Sequence, residues 1–490
     1  MARNLIVFYT DQLRKDCLGC YGNPVAKTPN LDALAGRGVV FQNHYASNPV
    51  CMPSRASFMT GRHLQAHRLI DNGIALPKTE TTLADVLAAN GYQTGSVGKI
   101  HLTPFNAPAE HGCEESRAVW QSGAMDGWSG PYYGFNEVQL TLGHGDACFA
   151  HGGHYGEWVR ANFPELAEKA EDFRTGKMHA FGRSRLPLEA QHTTWVADRS
   201  IDFIQQNKDG PFFLYASFPD PHHPFVAPDP YFSMFENADF PEPHRKEGEN
   251  DRKPVHYRAA MTRQVYGTDG GAHRPLEFTE QDWQTVFAAT YGMVSHIDES
   301  VGRVLECLRE HGLDDDTTVA FTSDHGDLLG DHHFIYKGPV PCRSLLNIPF
   351  IVADPDCPQA EVNAPMSNVD AMPTLLDLLG VDIPDVVQGR SFKDVMNGGP
   401  TDENHVALAS GWSKQSPLFY HHSIYGSKYR ITYFPNQDDG ELYDLENDPY
   451  EFDNLYHERA HRSLRDELLR RLLTELGTAE PPAPPVIANW

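Results

Sequence analysis

The 490-residue chain has little that would bring it to a nucleic acid or a membrane. Lys and Arg total 40 against 66 Asp and Glu, for a formal net charge of −26, and a surface of that sign repels phosphate backbones and anionic headgroups. A small anionic substrate is not excluded, because a local basic pocket outweighs distant charge that is screened over roughly 8 Å. No uninterrupted apolar run is long enough to cross a bilayer. The opening stretch, Met1-Ala-Arg-Asn-Leu-Ile-Val-Phe-Tyr-Thr-Asp11, ends its apolar run too soon for a secretory leader. Eight cysteines (17, 20, 51, 113, 148, 307, 342 and 357) lack framework spacing. That pattern fits a reducing compartment, and a cytoplasmic location is expected. Cys17-Leu-Gly-Cys20 has no second ligand pair, which argues against zinc. There is no internal repeat.

What is present is ordinary globular material, 40% hydrophobic and 11% aromatic. The length exceeds what one core usually holds. The expected division is a catalytic-sized domain over 1–395 with an insertion at about 105–190, a small α+β subdomain over 396–478, and a Pro-rich tail over 479–490. Apolar runs at Leu5–Tyr9, Val39–Tyr45, Tyr92–Val97, Pro211–Ser217, Thr317–Thr322 and Ile348–Val352 read as buried strands. They alternate with helical patterns at Thr81–Gly91, Thr193–Gln206, Thr279–His311 and Asn368–Leu379, so the fold class is α/β. Phe105–Leu186, rich in Gly, His and aromatics, reads as an irregular insertion, and Asp229–Pro275 as a surface excursion. Past a linker near Met396–Asn404, His405–Ser410, Ser423–Phe434 and Glu441–Asp444 read as a small antiparallel sheet with a turn at Asp438-Asp-Gly440. Arg462–Leu476 reads as an amphipathic helix.

Polar residues gather where the predicted strands end, which is where open α/β sheets bind ligands. They are Thr10-Asp11-Gln12, Gly98-Lys99-Ile100-His101, Pro219-Asp-Pro-His222-His223 and Ser323-Asp324-His325-Gly326-Asp327, with Lys337 after a Gly/His-rich loop. Each has a plain reading alone: Asp11 as a turn acid, Lys99 and His101 as solvated side chains, His222 and His223 as surface residues of a proline-stiffened turn. In extended backbone Lys99 and His101 would share a face. Acid beside imidazole at a strand end suits a metal centre. Within Asn48–His63, Cys51 lies between Pro49 and Pro53 in a predicted turn, and Ser54 is placed to cap a helix through Ala56–Thr60 that Gly61 stops. A thiol at a helix N-terminus beside Arg55 sits where anions are favoured, although a buried structural role is the commoner fate of an isolated Cys.

Cys51-Met-Pro-Ser-Arg55, followed by Thr60-Gly-Arg62, resembles the signature of the type I sulfatases of the alkaline phosphatase superfamily. The resemblance runs from residue 5 to about residue 395, and Glu441-Leu-Tyr-Asp-Leu-Glu-Asn-Asp-Pro-Tyr450 matches as well. It implies an alkaline-phosphatase-like mixed sheet sandwiched by helices, with a small C-terminal antiparallel sheet and helix. It also implies that a maturation enzyme oxidises Cys51 to formylglycine, whose aldehyde hydrate is the nucleophile. The family's metal ligands map onto Asp11, Gln12, Asp324 and His325, with the formylglycine as a further ligand. Gln12 and His325, where many sulfatases carry Asp and Asn, resemble the branch of choline sulfatases and phosphonate monoester hydrolases. Oxygen-rich ligation implies Ca2+, while the imidazole makes Mn2+ a rival and leaves Mg2+ in view. By the same resemblance Asp324 accepts the nucleophile's proton, while Arg55 and Lys99 hold the nucleophile and neutralise the sulfuryl oxygens. His222 and Lys337 contact sulfate, and one of them protonates the departing alcohol. His101 is the base that releases sulfate and restores the aldehyde, and Asn72 matches a substrate-side amide. His223, His332 and His333 are read as supporting or surface residues.

Three functions are in contention. A sulfate monoester hydrolase is favoured by Lys99-Ile-His101, a pair that phosphonate and phosphodiester hydrolases of the branch tend to lack. Such a phosphoryl hydrolase is favoured by the His325 type of metal site. A non-catalytic anion binder is disfavoured by the intact Cys-x-Pro-Ser-Arg. Trp120, Trp128, Tyr132, Tyr133 and Phe135 either line a substrate pocket or pack the insertion. The Pro-rich tail, similar to extended tails of the branch, points to a homodimer or homotetramer.

Overall fold

Asn4–Thr10 (β1) is buried at every position, and a strand with no polar face belongs at the centre of a sheet covered on both sides. The computed structural model, which describes residues 3–175, 181–257, 278–338, 340–412 and 420–480, places it there. Its sheet also contains Val39–Phe41 (β2), Gln93–Gly98 (β3), Glu137–Leu140 (β4), Phe212–Phe218 (β5), Thr317–Ser323 (β6), Phe350–Ala353 (β7) and Ala360–Val362 (β8), in the order β8-β2-β7-β6-β1-β5-β3-β4. β1 runs parallel to β5 and β6, and only β7 is reversed, antiparallel to both β6 and β2. Alternation along β1 divides the interior. Ile6 and Phe8 face a core with Trp195, Phe203, Val286 and Val294. Leu5, Val7 and Tyr9 face a second core with Met52, Phe58, Leu87 and Leu375. The first is roofed by helices His192–Asn207 and Glu280–Glu310, the second by Cys51–Thr60, Leu83–Ala89 and Ala371–Leu378. The result is the expected sandwich. No described helix is long and apolar enough to cross a membrane.

Helix starts follow local chemistry. Thr82 and Thr279 each form a reciprocal capping box, with Asp85 and Asp282 respectively. Five expectations are revised. Val39–Tyr45 and Ile348–Val352 each divide between two sheets, His44–Tyr45 and Asn347–Ile348 joining Met366–Ser367 in a separate three-stranded sheet. Pro349, with no N–H to donate, marks the changeover in the second. Phe105–Leu186 is not simply irregular, for it supplies edge strand β4 and helix Gly153–Asn162; four residues are too few for a strand period to show. Ser423–Phe434 is two strands, His421–Tyr425 (β10) and Tyr429–Phe434 (β11), paired antiparallel around Gly426 between Ala407–Gly411 (β9) and Asp439–Asp444 (β12). The turn expected at Asp438-Asp-Gly440 comes earlier, since Asp439 and Gly440 already pair with Phe434 and Tyr433. Part of the Asp229–Pro275 excursion, and the tail from Pro481, lie outside the described residues.

Candidate active site

Register assembles the site. Thr10 pairs with both Phe218 and Ser323, so the residues just beyond them, Asp11, Asp220 and Asp324, leave the sheet side by side. Asp11 N donates to Asp220 O at 3.2 Å, and Asp324 N to Thr10 O at 3.2 Å. β3 ends one strand further along, where Lys99 N donates to Ser217 O at 3.0 Å. Four strand ends therefore deliver Asp11, Lys99, His222 and Asp324 to one edge.

The helix carrying the nucleophile candidate begins at Cys51 itself, with extended Val50 before it and no side-chain cap. Ser54 is not the cap. Pro53 falls within the first turn, where a missing N–H costs nothing, so the predicted turn is already helix. Ser54 instead donates its hydroxyl to Asp324 O at 2.5 Å and receives Asn368 Nδ2 on the same hydroxyl at 3.1 Å. Gly61 closes the helix in the left-handed region, φ 61°.

Around Cys51 the expected residues converge. Sγ lies 3.3 Å from His325 Nε2, 3.8 Å from Asp11 Oδ1 and 2.8 Å from Lys337 Nζ. Arg55 is fully buried one turn along, and its guanidinium is spent on protein: Nε to Asp324 Oδ2 (2.8 Å), Nη2 to Asp11 Oδ2 (3.2 Å), Nη1 to Lys99 O (2.9 Å) and Ser217 Oγ (3.1 Å). Lys99 Nζ pairs with Asp11 and donates to His144 Nε2 at 2.7 Å. Burial works to raise the Asp11 pKa, yet Lys99, Lys337 and His222 hold it well below the ordinary carboxylate value. Burial and Asp11 likewise oppose ionisation of the Cys51 thiol, but Lys337 and Lys99 outweigh them and the net shift is down.

Asp11, Cys51, Asp324 and His325 each offer a ligand atom within 4.8 Å of the others. Gln12 N donates to Asp324 Oδ1 at 3.0 Å, and its Nε2 is held by Asp327 and by His223 Nδ1 (3.1 Å). Gln12 Oε1 is buried without a hydrogen-bond partner. A buried amide oxygen without a partner, on a residue whose backbone N–H bonds Asp324, is what a hard divalent cation would satisfy.

The other expected residues sit close by. His222 stacks on His144 (centroids 3.5 Å, 10°) and on His223 (4.1 Å). Its Nδ1 is engaged at the His223 carbonyl, and burial with His144 and Lys337 nearby holds its pKa well below the usual value. His101 does not share an extended face with Lys99, because β3 ends at Gly98 and His101 is left-handed, φ 62°. Glu115 fixes that bend by accepting the N–H groups of His101, Leu102 (2.7 Å) and Thr103 (3.1 Å). Burial, then Lys99, depresses the His101 pKa strongly, and its Nδ1 has no protein partner. Asn72 accepts Met52 N at 3.0 Å, holding the first turn of the Cys51 helix. His332 and His333 stand apart at Glu249. The insertion aromatics pack inward: Trp120, Tyr132, Tyr133 and Phe135 are buried, and Lys78 Nζ lies over the two tyrosine rings.

Two residues here escaped sequence reasoning. His144 sits between Gly143 and Gly145, both at positive φ, and a Gly-His-Gly in a long insertion was the one available signal. Glu115 had none, since nothing distinguishes it from Glu114 beside it.

Comparisons with known proteins fit this geometry. The sulfatase family model matches residues 3–381, and that for the N-sulphoglucosamine sulphohydrolase C-terminal region matches residues 330–477. An arylsulfatase of Clostridium perfringens is 30% identical over 98% of this chain and 95% of its own. A multifunctional alkaline phosphatase superfamily protein of Trinickia caryophylli is 30% identical over 98% and 96%. The crystal structure of a phosphonate monoester hydrolase of Agrobacterium radiobacter superposes with a TM-score of 0.80 at 25% identity, covering 97% of this chain and 96% of that one.

Proposed function

The chain belongs to the sulfatase family, and we propose that it hydrolyses a sulfate monoester to alcohol and sulfate with a formylglycine, derived from Cys51, as nucleophile. The observation that carries this is the seat of Cys51: a helix N-terminus inside the Asp11–Asp324–His325 ligand set, with Lys337 against Sγ. A hydrated aldehyde there supplies the attacking hydroxyl, and a divalent cation there supplies the Lewis acidity that makes a hydroxyl nucleophilic near neutral pH. We assign the cation to Asp11, Gln12 Oε1, Asp324 and His325, with residue 51 completing the set. Three oxygen donors favour Ca2+, and His325 keeps Mn2+ and Mg2+ as competitors.

The chain's own groups do the rest. Arg55 locks Asp11 and Asp324 into one geometry, which is preorganisation rather than substrate contact. Lys99 and Lys337 present the two ammonium groups that a sulfuryl oxyanion would meet. Of the two candidates for protonating the departing alcohol, Lys337 is assigned the proton, because the Asp11 carboxylate, 3.8 Å from its Nζ, favours the ammonium whether residue 51 is a thiol or an aldehyde. His222 has committed Nδ1 to the His223 carbonyl and stays neutral. His101, neutral and with a free ring nitrogen, suits the base that regenerates the aldehyde. Asp324 takes the nucleophile's proton, and Asn72 acts by holding the Cys51 helix.

A peptide mass across Cys51 tests the reading. Loss of about 18 Da (sulfur out, oxygen in, two hydrogens removed) supports the aldehyde, and an active enzyme with an unmodified thiol refutes it. The Gln12 and His325 ligand pair supports a second reading, phosphonate monoester hydrolysis, and relative kcat/KM on a sulfate and a phosphonate monoester separates the two. All eight cysteines are free, which supports maturation and activity in the cytoplasm.

A further inference from the structure

Lys337 reaches Cys51 from a loop whose one short 3-10 turn, Asp331–His333, is kinked at His332, and that loop is unusual. Between Asp327 and Lys337 it takes the left-handed region at Leu329 (φ 41°), Gly330 (99°), His332 (54°), His333 (69°) and Tyr336 (70°). Four of those five residues have side chains that disfavour it. A backbone like this persists only if its surroundings over-determine it. On the inner side they do: Asp327 accepts Leu329 N (2.7 Å), Tyr336 N (3.1 Å) and Gln12 Nε2, and Leu328 N and Gly330 N bond across the loop to Tyr336 O and Phe334 O, each at 2.8 Å.

The outer side is held by a buried ionic cluster that the chemistry above does not use. His332 Nδ1 lies 2.6 Å from Glu249 Oε2, and Lys253 Nζ lies 2.9 Å from the same oxygen. One carboxylate oxygen thus meets both, and Lys253 Nζ also lies 3.0 Å from His332 Nδ1, so the three side chains form one closed cluster. Glu249 Oε1 accepts Lys246 N at 3.0 Å. His332 N donates to His244 O at 3.0 Å, and Asn250 Nδ2 to His332 O at 3.2 Å. The Glu249 and Lys253 side chains are 0% and 1% exposed. Burying a charged pair contributes little net stability, and its best-attested use is to fix register. Here the register fixed is that of the loop carrying Lys337, five residues past His332.

We propose that Glu249, with Lys253, is a positioning residue for ester hydrolysis: a clamp on His332 that holds the 327–337 loop in the one conformation that brings Lys337 to the nucleophile. The role rests on the assignment of Lys337 to the reaction. Its mark is dependence. Glu249 does nothing chemically unless Lys337 is present.

A double-mutant cycle reads that dependence. Glu249→Ala, Lys337→Ala and the double variant are compared with wild type for kcat and KM. The substrate is whichever of a sulfate and a phosphonate monoester wild type turns over faster, so a wrong substrate class leaves this test intact. Metal content and the mass at residue 51 are matched in all four proteins. Glu249→Ala should lower kcat by about 10- to 100-fold with little change in KM, and should cost less than 3-fold once Lys337 is already Ala. Glu249→Gln, which keeps an oxygen to accept from His332 and Lys253, should recover to within about 3-fold of wild type. If Glu249→Ala does not accumulate folded, Lys253→Met takes its place in the cycle. Multiplicative losses in the double variant would overturn the clamp, as would full activity of both Glu249→Ala and Lys253→Met.

Discussion

Replacing Arg55 with Ala tests how the site is held together. The guanidinium is fully buried between Asp11 and Asp324, whose carboxylates are equally inaccessible. Removing one partner of a buried charge network costs ~3–5 kcal/mol, because the remaining charges keep their desolvation penalty and lose its compensation. Unfolding entropy of ~2.1 cal/mol/K per residue over 490 residues is about 1 kcal/mol/K, so the melting temperature of metal-free Arg55→Ala should fall by about 3–5 °C if the domain melts as one unit. A divalent cation at Asp11, Asp324 and His325 would restore positive charge between the same carboxylates. The difference between variant and wild type should therefore shrink to about half or less in saturating Ca2+. The assay is a calorimetric melt of both proteins in chelator and in excess Ca2+. An equal penalty in both conditions would refute the shared role of Arg55 and cation. No penalty in chelator would show that the carboxylates do not depend on the guanidinium.

Cys51→Ala should fold normally by circular dichroism and lose hydrolysis by three or more orders of magnitude (~10³ or greater); near-normal turnover would end the formylglycine reading. Asp324→Asn should weaken Ca2+ binding by at least ~10-fold in a calorimetric titration, and unchanged affinity would remove it from the ligand set. His144→Ala releases the Lys99 ammonium from its 2.7 Å acceptor and should cost about 10-fold in kcat/KM, the value of one charge-assisted hydrogen bond; an unchanged rate would make His144 a bystander. His67 accepts Leu69 N on Nδ1 (3.2 Å) and so turns Nε2–H to Ser57 Oγ (3.0 Å), and burial pushes its pKa down to about 3. The folded state thus binds fewer protons than the unfolded chain, whose imidazole titrates near 6.5. Stability is complete above that value and falls as pH drops toward the folded one, by ~2 kcal/mol at pH 5. His67→Gln should remove that share of the acid-side drop in melting temperature, and an identical drop in the variant would contradict it.

How much of this was legible in the chain depended on whether a signal was local. Apolar runs ending in acid announced β1 and β6, and with them Asp11 and Asp324, because a strand's end and its ligand are neighbours in sequence. The signature around Cys51 carried the nucleophile candidate, but its helix start was misplaced because Pro49 and Pro53 together suggest a turn, whereas the helix begins at Cys51 with Pro53 in its first turn. His101 was reached on the assumption of continuing strand, whereas Glu115, fourteen residues on, bends the backbone back. Long-range partners leave no local mark: His144 finds Lys99 from 45 residues away and Glu249 finds His332 from 83. A stretch such as Ser423–Phe434 hid its hairpin because Gly426 alone signals the reversal.

The pairing of β1 with β6 has a consequence for the order of events during synthesis. The first strand made is the centre of the sheet, and one of its two partners is more than 300 positions away, as the 312-residue separation between Gln12 and Asp324 shows. At ~5–20 residues per second, a ribosome needs roughly 15–60 s to travel from Cys51 to Lys337. Through that interval the Cys51 segment has no Asp324, His325 or Lys337 to close over it, while in the finished fold the residue is 2% exposed. Any enzyme that must reach this thiol therefore works against a clock set by the last strand of the site, and slowing translation before Thr317 should lengthen the time allowed.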